Sequence, residues 1–298
     1  MPGSDGQWLF KSSHLHHTPV VTEDKKTVFH EICQRNSGIE FLFRVGLQLK
    51  LNIPVLATAA TYFHRFYMRQ SIDGHIIYDI AGACIFLACK VEESGRRLKD
   101  VAAVCQAKAN GTPVIVDEHG PAVTAWMKTI TACEEILLET LCFDLTVEHP
   151  HNDLLNAAEV LQTPEQLLAY VWSVMNDTFR TPLCVLFAPR VIASASYILC
   201  LNWMAPGVPL MDTETGPQAA AIYDAFGLER PHEVAQISEV LPLLLDFYAH
   251  IRPHVPEKLW RVNPFAQASS WRYGIAKSML RSYIMPSGRL SRRTSLFV

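Results

Sequence analysis

Apolar residues recur along this chain at three- and four-residue spacing, whereas the two-residue alternation of half-buried strands hardly occurs. The pattern predicts an all-α protein. Helices are expected over Ile39–Leu51, Pro54–Arg69, His75–Glu93, Leu98–Lys108 and Ala122–Leu141, with Pro54 suited to a first helical position. Pro150 closes this series, because the residue before a proline is pushed out of the helical region. Beyond it the spacing predicts helices over Asn152–Leu161, Pro164–Arg180, Arg190–Met204, Gln218–Phe226 and Val234–His250. The turn-rich stretch Ala205–Pro217 reads as a loop.

Two of these helices are apolar on nearly every side. "IAGACIFLAC" from Ile80 and "IASASYILCL" from Ile192 share a rhythm of small and branched residues at an offset of 112 positions. A helix of that kind is buried, and small residues let its neighbours approach closely. The expected architecture is two tandem five-helix units joined near Leu145–Asn152, with Ile80–Lys90 and Ile192–Met204 at their centres. Of the adjacent Ile85 and Phe86, at least one faces an element other than the main core stripe.

The first central helix runs straight into "KVEES". Lys90 stands three and four residues after Leu87 and Phe86, so its stem can rest on apolar surface while the ammonium reaches the rim. Glu134 shares a helix line with Leu138 and Leu141, which sets a carboxylate beside an apolar stripe. A donor and an acceptor held this way can bind the polar ends of a partner's backbone through charge-assisted bonds. In the isolated chain both charges are expected to stay near water. Glu135 and Glu139, of like charge and four apart, read as solvated.

Composition narrows the function classes. The 298 residues are 49% hydrophobic and 18% charged, enough for a sizeable core. Net charge is only −3, yet residues 1–251 hold 17 Lys and Arg against 28 Asp and Glu, while residues 252–298 hold 9 against 1. An acidic body thus carries a basic tail, where "RRTS" at Arg292–Ser295 reads equally as a poorly packed end that aids solubility and as a segment for nuclear targeting or RNA contact. The eight cysteines form no C-x-x-C pair and mostly sit among apolar residues, reading as reduced core positions. The uncharged run Val191–Met211 is broken by Pro206, Gly207 and Pro209, too short for a membrane span, and no secretory signal is visible. "HLHH" at His14–His17 lacks a matching Cys or Asp cluster, so no metal or other cofactor is expected. No nucleophile–base order supports an enzyme.

The stretch "YFHRFYMRQS", with "YDIAGACIFLACKVEESGRRLKDV" and "CEEILLETLCFDLTVEHPH", resembles the cyclin box of transcriptional cyclins of the cyclin K and cyclin T type and of the fungal RNA polymerase II C-terminal-domain kinase. "HTP" at His17–Pro19 and "WSVMNDTF" at Trp172–Phe179 extend the likeness over about residues 17–250. The resemblance implies a segment 1–35, a first cyclin box at 36–148, a second at 149–251 and a basic tail at 252–298. It also implies a nuclear, non-catalytic regulatory subunit that activates a cyclin-dependent kinase acting on the RNA polymerase II C-terminal domain. Lys90 and Glu134 would then bind kinase backbone, with Val91, Leu138, Phe143 and Leu145 as the apolar floor. The helix-one motif of cell-cycle cyclins that docks substrates is replaced here by "FLFRVGLQLKL". The alternative is a cyclin-fold general transcription factor that binds DNA and TATA-binding protein. The acidic body and the lack of a zinc ribbon speak against it.

Overall fold

The computed structural model describes residues 7–111, 120–204 and 217–248, and every regular element among them is a helix. The chain divides into two compact units between Val147 and Glu148. In the first unit a 3-10 turn at Ser12–His17 is followed by α1 (Pro19–Thr22), α2 (Val28–Gln48), α3 (Ile53–Tyr67), α4 (Ile77–Val91), α5 (Leu98–Ala109) and α6 (Pro121–Thr140). The second contains α7 (Pro150–Val160), α8 (Glu165–Thr178), α9 (Pro189–Met204), α10 (Pro217–Ala225) and α11 (Pro231–Asp246). Proline opens most of these helices, where its missing N–H has no partner to lose. The all-α architecture is the one that the periodicity predicts, with α2–α6 and α7–α11 as the two five-helix sets and the four-residue α1 in addition. The tail after Arg252 and most of the Ala205–Pro217 loop lie outside the described residues.

Both central helices are enclosed. α4 is packed by α2, α3, α5 and α6, and α9 by α7, α8 and α11. Ile80–Ile85 and Leu87–Cys89 are buried, and Phe86 alone in that run is partly open, which settles the Ile85–Phe86 pair: Ile85 enters the core and Phe86 turns to the rim. Glycine supplies the close approach on α2. A Cβ at Gly38 would lie 2.3 Å from Phe63 Cζ, and one at Gly46 would lie 2.1 Å from Leu56 Cδ2.

The largest departure from expectation is α2, which starts at Val28 and not at Ile39. Thr27 caps it, its hydroxyl accepting from His30 N at 3.1 Å. The first turns were hidden in the sequence because they bury polar groups. Glu31, Arg35 and Asn36 are all within 1% of full burial. Arg35 donates to Glu31 Oε1 at 2.8 and 2.5 Å, to His64 O at 3.0 Å and to Tyr67 O at 2.6 Å. Those two carbonyls end α3, where no helical N–H follows to satisfy them all. Thr18 Oγ1 donates to the other Glu31 oxygen at 2.6 Å, so the threonine of "HTP" closes a buried network.

The second unit gives its motifs a packing role as well. His151, from "HPH", meets Asn176 Oδ1 through Nε2 at 3.0 Å and lies between Trp172 and Phe179, so it joins "WSVMNDTF". Asp177 pairs with buried Arg180 at 3.3 Å and accepts from Tyr248 Oη at 2.9 Å. Burial holds the His151 imidazole below its ordinary 6.5, partly offset by the Asn176 bond. The folded state therefore binds this proton less readily than the unfolded chain. His151 contributes its full stability above about pH 6.5, and that contribution falls as pH drops from there toward the folded value, by at most about 1.4 kcal/mol per pH unit. Melting curves between about pH 7.5 and pH 5.5 should show a steeper decline for the native chain than for His151→Gln.

Cys84, Cys89, Cys105 and Cys200 are buried, as read from sequence, and burial pushes the Cys89 thiol up to about 11. Cys33, Cys133 and Cys184 are only partly covered, and Cys142 is exposed, so the core reading fails for Cys142. Among the described residues no helix is long and apolar enough to cross a membrane. The histidines at 14, 16 and 17 are exposed around buried Leu15, and among the described residues no cluster has metal-ligand form.

Candidate functional site

The charged knot ends α4 through a left-handed residue. Glu93 has φ 50°, and the amides of Ser94 and Glu93 bond back to Cys89 O at 2.8 Å and Lys90 O at 3.3 Å. This is the paired closure of a Schellman motif, which satisfies the last carbonyls and turns the chain out of the core. Thr58 Oγ1 of α3 donates to Glu92 Oε1 at 2.6 Å and fixes the stop. The helix can thus be buried along its length and still end in charge at the surface.

Lys90 and Glu134 find each other. Lys90 Nζ lies 2.8 Å from both Glu134 carboxylate oxygens and 4.3 Å from the Phe86 ring centroid. A cation over a ring face and against a carboxylate is held by both. The expectation that both charges stay near water holds only for Lys90, whose side chain is 50% exposed; that of Glu134 is 11% exposed. Glu134 sits on α6 where α4 packs against it, and the salt bridge anchors its charge there. The pair engages two of the three ammonium N–H groups.

The apolar residues sort into two kinds. Val91 is 38% and Phe143 69% exposed, and Leu138 and Leu145 are half-buried. Leu141, on the same helix line as Glu134, is fully buried and belongs to the core. α6 ends as α4 does: Phe143 N bonds to Leu138 O at 3.0 Å and Cys142 N to Glu139 O at 2.9 Å. Cys142 and Phe143 both have left-handed backbone, at φ 53° and 56°, a geometry that costs non-glycine residues roughly 1–2 kcal/mol each. Leu138 and Phe143 are brought together as the two ends of this closure, where a hydrophobic contact often forms. Glu135 and Glu139 are exposed, in line with the sequence reading.

Sequence reasoning missed the residues that hold the turn after α6. Tyr62 Oη donates to Leu145 O at 2.7 Å, Arg65 Nη1 to Asp144 O at 3.3 Å and Arg69 Nη1 to Thr140 O at 3.2 Å. All three stand on or just after α3, and their polar tips interrupt an otherwise apolar stretch. Residues 7 and 8 also reach this turn, and nothing local in the sequence announces that.

Residues 9–146 match the family model described as Cyclin, N-terminal domain. The chain is 40% identical over 205 residues to Cyclin pch1 of Schizosaccharomyces pombe, covering 67% of this chain and 60% of that protein. The chain belongs to the cyclin family. Human Cyclin-K is 30% identical over 255 residues, covering 84% of this cyclin and 42% of the relative, so the matches span about half the length of these proteins. The fold is similar to a chain in the crystal structure of the yeast RNA Pol II CTD kinase CTDK-1 complex, with a TM-score of 0.64, 15% identity, and 81% and 73% of the two chains covered. It is similar also to a chain of the CAK complex of Chaetomium thermophilum bound to ATP-gamma-S, with a TM-score of 0.62, 19% identity, and 99% and 90% covered. The resemblance of this cyclin to cyclin K and cyclin T, read from its motifs, holds across most of the described residues.

Proposed function

We propose that this cyclin is the non-catalytic regulatory subunit of a cyclin-dependent kinase that works in transcription. The observation that carries the proposal is the Lys90–Glu134 pair, with exposed Val91 next to Lys90 at the end of α4 and exposed Phe143 in the turn that ends α6. An ion pair with bonding capacity to spare, beside exposed apolar groups, matches a partner that offers backbone ends next to hydrophobic side chains. Such a partner surface is the regulatory helix of a kinase. Held inward by Lys90, Glu134, Val91, Leu138, Phe143 and Leu145, that helix would complete the kinase's Lys–Glu pair and allow the activation loop to order. A nuclear kinase acting on the RNA polymerase II C-terminal domain is what the likeness to cyclin K implies, and a chain of the yeast RNA Pol II CTD kinase CTDK-1 complex shares the fold.

Affinity purification of the full chain from its native cell, with co-purifying proteins identified by mass, should return one cyclin-dependent kinase in stoichiometric amount. The recombinant pair should phosphorylate a heptad-repeat peptide, and neither subunit alone should. Recovery of no kinase together with tight binding to promoter DNA would overturn the reading.

A further inference from the structure

Trp8 is the one buried aromatic of the segment before the 3-10 turn at Ser12, and it lies one residue outside the span matched by the cyclin family model. It is 3% exposed, whereas Gln7 and Leu9 on either side are exposed. Its Nε1 donates to Asp144 Oδ2 at 3.0 Å, and Gln7 Nε2 donates to the same oxygen at 2.7 Å. The guanidinium groups of Arg65 and Arg69 lie 5.0 and 4.2 Å from the Trp8 ring centroid. These two arginines are the ones that donate to Asp144 O and Thr140 O, and Arg69 Nη1 also lies 3.1 Å from Cys142 Sγ.

We infer that Trp8 is a positioning residue for the turn Leu141–Leu145, fixing Phe143 in the geometry in which it meets a partner. The inference rests on the reading of that turn as part of the kinase contact. Two successive left-handed residues do not hold their conformation unaided, and a surrounding structure must over-determine it. Trp8 supplies that in two ways, through its N–H to the Asp144 side chain and through its ring, which keeps both arginines directed at the turn's carbonyls. A mobile Phe143 would have to be ordered on binding, at an entropic cost that a fixed one has already met. The N-terminal segment is then a brace for a contact residue more than a hundred positions away in the chain.

The test uses the full chain and the kinase recovered with it, produced recombinantly. In the free protein, Trp8→Ala should speed amide hydrogen exchange at Cys142 and Phe143 by about tenfold or more while α4 stays protected. It should weaken kinase binding by about fivefold or more, but by less than about twofold when Phe143→Ala is already present, since the two act on one contact. Trp8→Phe keeps an aromatic face, though a smaller one, and loses the N–H; it should fold normally by circular dichroism and give a smaller effect of the same kind, which covers a failure of Trp8→Ala to fold. Unchanged exchange at Cys142 and Phe143, or an equal loss of affinity with and without Phe143, would make Trp8 a packing residue only. A native chain that captures no kinase overturns the kinase contact itself. A native chain that binds equally well with and without either Trp8 substitution overturns the role of Trp8 alone.

Discussion

Arg35→Ala should cost the first unit about 3–5 kcal/mol, the usual loss when one partner of a buried ion pair is removed. The substitution strands a carboxylate that is 2% exposed at the side chain, and it takes a donor from His64 O and Tyr67 O at the end of α3. Thr18 still reaches Glu31, but one neutral hydroxyl does not replace a guanidinium that makes two bonds to it. Converted at about 2–4 °C per kcal/mol for a chain of this size, the melting temperature should fall by roughly 6–20 °C. The control is Glu31→Leu with Arg35→Met, which removes both charges and fills similar volume. Because a buried pair is often no more stabilising than apolar replacements, the double variant should recover most of the loss. Calorimetry on the three proteins decides the matter. Equal destabilisation of the single and double variants would mean that the carbonyl bonds, not the pairing of Glu31, dominate.

The same network explains how much of the fold could be read from the chain. α3 to α6 are visible as runs and stripes of Leu, Ile, Val, Phe and Ala, because α3 and α4 are enclosed and apolar along most of their length, while α5 and α6 set an apolar stripe against polar outer positions. The first half of α2 breaks that rule by burying Glu31, Arg35 and Asn36, so its period registers as polar and the helix is seen only from Ile39. α1 and the 3-10 turn are shorter than the window in which any period can be counted. For the site, Lys90 and Glu134 were recognised by the motifs around them, and the location of each on its helix follows from local spacing. Their mutual bonding did not follow, because it joins residues 44 apart that only the packing of α4 on α6 brings together. The brace at Trp8 is hidden for the same reason over a longer span, since its partner Asp144 is 136 residues away.

That pairing changes what substitutions at the site should do. Glu134→Ala leaves a half-exposed lysine that water can solvate, so the free cyclin should lose no more than about 1 kcal/mol, as for an exposed ion pair. Lys90→Ala leaves a nearly buried carboxylate without its cation, and about 1–3 kcal/mol of stability should go with it. The two variants should therefore differ in melting temperature, with the lysine variant lower. Toward the kinase they should agree. If the pair binds the kinase backbone as one unit, either truncation strands desolvated groups across the interface, at about 2–5 kcal/mol, and lowers affinity at least tenfold. The double variant should lose less than the sum, since the first change already disables the second residue. A salt bridge that serves only to fasten α4 to α6 gives the opposite pattern, with stability falling in both variants and affinity for the kinase holding. Glu134→Ala is the more informative of the two, because its fold is expected to remain nearly intact. Isothermal titration of each variant with the recombinant kinase, beside its melting curve, reads both quantities, and full affinity in Glu134→Ala would remove this pair from the interface.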